Sequence, residues 1–132
     1  MMPGAFFDTN LPLYFLSSDA AKASRAEHLM ADGGTISVQV PNEFVAVARR
    51  KHSVSWAIVE QSLMVLRHVC RVQPLTVATH DKAVLLAQRY GLPICDANIA
   101  ASALEAGCDT LYSEDFQHGQ RLDGLTVMNP FR

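Results

Sequence analysis

Short apolar runs alternate with stretches of helical periodicity along the whole chain. The run "AFF" before Asp8 is too short for a helix and reads as a buried strand. Pro12 follows closely and suits a first helical turn, with Thr9 or Asn10 as its cap. A second helix is predicted from about Asp19 to Ala31, stopped by Gly33 and Gly34. "TISVQV" reads as a strand, and Pro41 then restarts a helix, "PNEFVAVARRK", with Phe44, Val47 and Ala48 on one face. Another helix starts near Ser55 and carries the stripe Trp56, Val59, Leu63 and Leu66. "THDKAVLLAQRYG" begins with Thr79 as cap, buries Ala83, Leu86, Ala87 and Tyr90, and ends at Gly91. "PICDANIAASALEAG" comes next, with Pro93 near its start, Gly107 past its end, and alanines that let it lie close against a sheet. "DTLYS" and "LTVMN" are the last two strands.

Strands alternating with helices imply an α/β fold with right-handed crossovers and a central, largely parallel sheet flanked by helices. No repeat, low-complexity segment or long Pro/Gly/Ser linker interrupts the chain, so residues 1–132 read as one domain. In such sheets ligands bind at the carboxyl ends of the strands. That rule gives the acidic residues their meaning. Asp8 follows the first strand directly, and Asp115 lies just past "TLYS". Glu43 sits in the first turn of the helix after the second strand, and Asp96 in the first turns of its own helix.

Four carboxylates in one crevice repel one another and need compensation. A hard divalent cation such as Mg²⁺ takes oxygen ligands and keeps several waters, so it suits such a cluster. Held there, it would polarise a phosphoryl oxygen and lower the pKa of a bound water, which is the chemistry of phosphodiester hydrolysis. Each residue also has a plainer explanation. Asp8 would simply end a strand, Glu43 and Asp96 would be favourable charges at helix N-termini, and Asp115 would be a turn residue.

Composition narrows the field. The chain has 132 residues, 49% of them apolar, enough to bury a core without disulfides or structural metal. A net charge of −2 gives no overall field for nucleic acid, so RNA binding would require a local basic patch and metal. "RRKH", Arg49 to His52, is the one dense basic cluster, and Arg49, Arg50 and Lys51 are candidates for phosphate contacts. The competing explanation is a solvated helix end that complements the dipole. The cysteines Cys70, Cys95 and Cys108 are odd in number and lack CxxC spacing. They read as buried thiols in a reducing compartment. The N-terminus lacks a basic segment followed by an apolar run, which predicts no signal peptide, and no stretch reaches the length of a membrane span. A cytoplasmic protein is expected.

The segments "FFDTN", "VPNEF", "CDANIAASALEAGCDTLYSEDFQHGQ" and "LTVMNPF", in this order, resemble the bacterial PIN-domain toxins of the VapC type over essentially the whole chain. The resemblance implies an α/β/α sandwich, a Mg²⁺- or Mn²⁺-dependent endoribonuclease, a homodimer, and an antitoxin protein as neutralising partner. By motif, Asp8, Glu43, Asp96 and Asp115 match the family's acidic residues, and Asn10 and Ser113 match polar positions that support the carboxylates and waters. Asp8, Asp96 and Asp115 would supply the metal ligands, with Glu43 orienting or deprotonating the attacking water. The family often carries an apolar residue where this chain has Asn98, which reads as solvent-facing. Glu114 is a second choice to Asp115, since neighbours on an extended segment point in opposite directions. His118 reads as a loop residue.

Other classes fit less well. A haloacid-dehalogenase-like site wants an aspartate where this chain has Asn10, and a receiver domain wants a lysine near the last strand, where "LTVMNPF" has none. No nucleophile elbow, phosphate loop or dinucleotide fingerprint is present. The remaining alternative is a catalytically degenerate PIN-like module that binds RNA or protein. The helices near 18–30 and 55–70 carry Leu29, Met30, Trp56, Leu63 and Met64, apolar residues that predict an interaction surface for a second copy or an antitoxin segment.

Overall fold

The structure, a computed structural model, describes residues 4–132. Strand β1 (Ala5–Phe7) leads through Asp8 and Thr9 into helix α1 (Asn10–Leu13) and a 3-10 turn, Tyr14–Leu16. Then come α2 (Ala20–Ala31), β2 (Gly34–Ser37), α3 (Gln39–Lys51), α4 (Trp56–Val69) and β3 (Cys70–Gln73). The chain continues through α5 (Val77–Tyr90), α6 (Ile94–Glu105), β4 (Thr110–Tyr112), β5 (Arg121–Leu122) and β6 (Leu125–Met128). The six strands form one sheet in the order β3-β2-β1-β4-β6-β5. All pairings are parallel except the β5–β6 hairpin. The result is an α/β sandwich, as the alternation of elements implies.

Strand β1 lies between β2 and β4, so the chain leaves the middle of the sheet in one direction and later returns on the other side. This is the switch point at which a parallel sheet opens a crevice beyond its carboxyl ends. Close packing holds β1 in place. Phe6 and Phe7 are fully buried, and a Cβ added to Gly34 on β2 would come within 2.4 Å of the Phe7 ring. Gly34 is therefore required by close approach, whereas Gly33, at φ +84°, makes the turn out of α2. Helix α6 packs against β2, β4 and β6 and against α5. Its buried face is Ala97, Ile99, Ala100, Ala101, Ser102 and Ala103, and these mostly small side chains let the helix lie close to the strands.

Several local expectations are corrected. "TISVQV" is a strand only to Ser37, and α3 begins at Gln39, two residues before Pro41, so Pro41 falls within the first turn, where a missing N–H costs nothing. Helix α5 is capped by Thr76 rather than Thr79. The two close a reciprocal capping box, with Thr79 as its third-position partner. Thr9 occupies the position before α1 but makes no side-chain cap bond. Strands β3 and β5 were not anticipated, since four-residue and two-residue segments leave little periodicity to read.

The apolar stripe of α4 is buried only at Val59 and Leu66, while Trp56 is 56% exposed. Of the five residues expected at an interaction surface, Met30 lies in the core, Leu29 and Leu63 pack against core clusters, and Trp56 and Met64 remain exposed. Cys70 and Cys108 are buried, but Cys95 is exposed, because it faces outward in the first turn of α6. No helix among the described residues is long and apolar enough to cross a membrane.

Candidate functional site

The site begins with Asp8, which leaves β1 at the switch point. Its backbone N–H donates to the Tyr112 carbonyl, continuing the β1–β4 ladder by one residue. The carboxylate is buried, at 4% exposure. One oxygen accepts from the Thr9 N–H at 2.7 Å and the other from the Ser113 hydroxyl at 2.7 Å. Ser113 is itself fully buried at the end of β4, and its oxygen accepts from the Asp115 N–H at 3.0 Å. One hydroxyl thus ties the end of β1 to the loop that carries Asp115.

Burial pushes the Asp8 carboxyl up to about 6; the Ser113 and Thr9 hydrogen bonds oppose this, and the charges of Asp115 and Glu43 add to it. Asp96 is raised as well, by burial first and then by Asp115 and Glu43. Asp115 and Glu43 thus lie near enough to both Asp8 and Asp96 to oppose their ionisation. The four are brought together from β1, α3, α6 and the β4 loop. No Lys, Arg or His pairs with any of them: the ion pairs among the described residues are Lys22–Glu114 and Arg89–Asp123. Their spacing is open, however. Among the described residues, no three His, Cys, Asp or Glu side chains converge closely enough to hold a metal ion.

Glu43 is held by residues that sequence reasoning missed. One oxygen accepts from the Thr9 hydroxyl at 2.7 Å, the other from the Gln39 amide at 2.6 Å. Asn98 on α6 donates in turn to the side-chain oxygen Oε1 of Gln39 at 2.8 Å. A continuous relay thus runs from α6 through α3 to the residue after Asp8. Asn98, expected on a solvent face, is half-buried and points into this relay. The signal was present in the spacing, because Gln39 and Glu43 are four apart and share a helix face. It was hidden by assigning Gln39 to a strand.

The remaining candidates sort themselves by contact. Both amide atoms of Asn10 are buried without a hydrogen-bond partner. Glu114 accepts from Tyr14 and pairs with Lys22 at 3.6 Å, so its charge is compensated where those of its acidic neighbours are not. His118 accepts from the Asn129 N–H at 3.0 Å and closes its own loop. In the basic cluster, Arg49 donates to the Val54 carbonyl at 2.7 Å and lies 4.7 Å from the centre of the Trp56 ring. Arg50 and Lys51 are exposed and make no ion pair among the described residues.

Chemically, the arrangement offers several acidic oxygens on a rigid sheet edge, one of them largely removed from water. It offers no thiolate or imidazole at its centre. Oxygen donors of this kind match a hard divalent cation.

The sequence profile of the PIN domain matches residues 5–121. No curated protein matches the chain in sequence. Among solved structures, a toxin–antitoxin complex from Klebsiella pneumoniae is similar, with a TM-score of 0.72 and 25% identity over 96% of this chain and 97% of that one. VapC20 of Mycobacterium tuberculosis, a toxin that cleaves the sarcin-ricin loop, aligns with a TM-score of 0.65 and 20% identity over 84% of this chain and 89% of its own. VapBC2 from Rickettsia felis, bound to a promoter DNA fragment, aligns with a TM-score of 0.67 and 19% identity over 95% and 97% of the two chains.

Proposed function

The chain belongs to the PIN-domain family, and on that premise we propose that it is a metal-dependent endoribonuclease of the VapC type, the toxin of a toxin–antitoxin pair, working as a single domain over residues 1–132. The observation that carries this reading is the gathering of Asp8, Glu43, Asp96 and Asp115 at the switch point with no side-chain cation among them. Structural likeness to toxins, one of which cleaves the sarcin-ricin loop, supports it.

The donor set suits Mg²⁺ or Mn²⁺. Asp8, Asp96 and Asp115 would hold it. When bound, the cation supplies the missing positive charge and Lewis acidity toward a phosphoryl oxygen. The protein's own groups divide the remaining work. Ser113 and the Thr9 N–H fix the Asp8 carboxylate, so that its orientation is set before substrate arrives. Glu43, oriented through both oxygens by Thr9 and Gln39, is the group that accepts the proton of the attacking water. Asn10 offers an amide whose donor and acceptor the fold leaves unused. Arg50 and Lys51 would meet the phosphate backbone, while Arg49 stacks on Trp56.

The antitoxin would lie in the apolar groove between α2 and α4, a cavity of about 380 Å³ lined by Phe15, Met30, Val65 and Val69. A basic side chain reaching from there to Asp8 and Asp96 would neutralise the site. The exposed Trp56 and Met64 support a homodimer, and the cytoplasm is the expected location. The test is cleavage of purified RNA with Mg²⁺ and with EDTA. Metal-dependent cleavage that is lost in Asp8→Asn and Asp115→Asn supports the reading. Folded protein that cleaves no RNA with any divalent metal would assign the chain to the degenerate, binding-only class.

A further inference from the structure

A cavity of about 510 Å³ is lined in part by chain neighbours of the acidic residues and shares no lining residue with the groove between α2 and α4. Its wall begins at Asn10, two residues after Asp8, and includes Glu114, the neighbour of Asp115. One side is apolar, formed by Leu13, Leu16 and Val47. The opposite chemistry comes from the end of α3, where Lys51 and His52 reach the same space. Glu114 adds little negative field here, because Tyr14 and Lys22 already engage it.

Three properties define what fits. The volume lies in the range of small-molecule sites. The surfaces combine an apolar wall with a Lys ammonium that makes no ion pair among the described residues. The position adjoins the site along the chain, with Asn10 two residues after Asp8 and Glu114 just before Asp115, while the four carboxylates themselves lie outside the lining. An apolar face suits the flat, apolar surface of a nucleobase. A free ammonium beside an imidazole suits a phosphate. We propose that this cavity is a subsite for the nucleotide next to the scissile phosphodiester of a single-stranded RNA, its base against Leu13, Leu16 and Val47 and its phosphate at Lys51 and His52. The proposal rests on the ribonuclease reading for its substrate. It also narrows the basic cluster: Lys51 and His52 line the cavity, and Arg49 does not.

The test separates binding from cleavage. Affinity for a fluorescein-labelled single-stranded RNA oligonucleotide is measured by anisotropy in an Asp8→Asn background, against a salt series. Adding Lys51→Ala or His52→Ala should weaken binding roughly 3- to 10-fold, and Lys51→Ala should flatten the log–log salt slope by about 0.7, one phosphate contact on a single strand. Val47→Trp, which fills the cavity, should weaken binding at least as much. Arg67→Ala, on the exposed face of α4, should leave it unchanged. In the otherwise native protein, Lys51→Ala should raise the KM for cleavage with kcat within about twofold. The surface variants His52→Ala and Lys51→Ala keep the test decisive if Val47→Trp fails to fold.

Parental affinity in the Lys51, His52 and Val47 variants would overturn the subsite; if the native protein still cleaves RNA, the ribonuclease reading survives. Loss of affinity in those variants, in a native protein that cleaves no RNA, would leave the subsite standing and remove the nuclease. Unchanged RNA affinity with lost neutralisation by the antitoxin would assign the cavity to a protein segment and overturn the proposal.

Discussion

Two aspartates in this molecule meet opposite surroundings. Asp123, in the β5–β6 hairpin, accepts from Tyr90 at 2.8 Å and from Arg89 at 2.8 Å, and these partners hold its carboxyl below the usual range. Asp8 is buried, has only neutral donors, and faces two further carboxylates, so its carboxyl is pushed up to about 6. The hairpin neutralises its charge with the protein's own side chains. The strand ends at the centre of the sheet leave theirs uncompensated, although burial makes that arrangement the costlier one. Such a cost, concentrated at a switch point, is the pattern expected of a functional site.

The sharpest way to break this comparison is to remove the charge at Asp8. Asp8→Asn keeps the volume, so the fold should survive by circular dichroism while RNA cleavage falls at least roughly a hundredfold, about 2.7 kcal/mol of barrier. Undiminished cleavage by a folded variant would end the assignment of Asp8.

The same variant should change stability in the opposite sense. In EDTA, the raised folded-state value means that Asp8 stabilises the protein fully below pH 3.8 and loses that contribution as pH rises through about 6. Asp8→Asn should therefore flatten this part of the stability profile and stabilise the metal-free protein near pH 7 by on the order of 2 kcal/mol. Denaturant melts between pH 4 and 7 measure it. A variant less stable than its parent at pH 7 would make Asp8 a structural partner.

A third test addresses the relay behind Glu43. Gln39→Ala frees one Glu43 oxygen, and Asn98→Leu removes the donor to Gln39. Each should lower kcat about 3- to 10-fold with little change in KM, Gln39→Ala more than Asn98→Leu. An equal change in KM would point to substrate contact instead.

The smallest effects belong to the hairpin. Asp123→Asn should leave cleavage untouched and lower the melting midpoint slightly at neutral pH, a loss that vanishes as pH falls through the carboxylate range, because a lowered folded-state value stabilises only above it. Thermal melts at pH 7 and pH 3 compare the two.

How far the sequence could be read differs within the molecule. Asp8, Glu43, Asp96 and Asp115 were legible because each follows a recognisable strand or opens a recognisable helix, and strand ends in a parallel sheet share one rim. Thr9 and Gln39 were not. Thr9 looks like a helix cap, and only the fold turns its hydroxyl toward Glu43, 34 residues away. Gln39 sits where β-branched neighbours, Val38 and Val40, favour a strand, yet it already belongs to α3. Cys95 was misjudged for a different reason: the count and spacing of cysteines do not say which face of α6 carries it.

Local periodicity and turn chemistry in the sequence by themselves determined the alternation of strands and helices and, through it, the parallel sheet, while the motifs around Asp8, Glu43, Asp96 and Asp115 carried the resemblance to the family. Periodicity and turn chemistry are short-range properties, set by side-chain spacing and by residues such as Gly91, whose φ of +66° ends α5. Only the tertiary structure decided the strand order, with β1 between β2 and β4, and the short edge strands β3 and β5. It alone decided which polar groups are matched across long separations: Ser113 to Asp8, Thr9 to Glu43, Asn98 to Gln39. Those partners lie tens of residues apart, and their geometry exists only once packing of the hydrophobic core has fixed the distance between the elements that carry them.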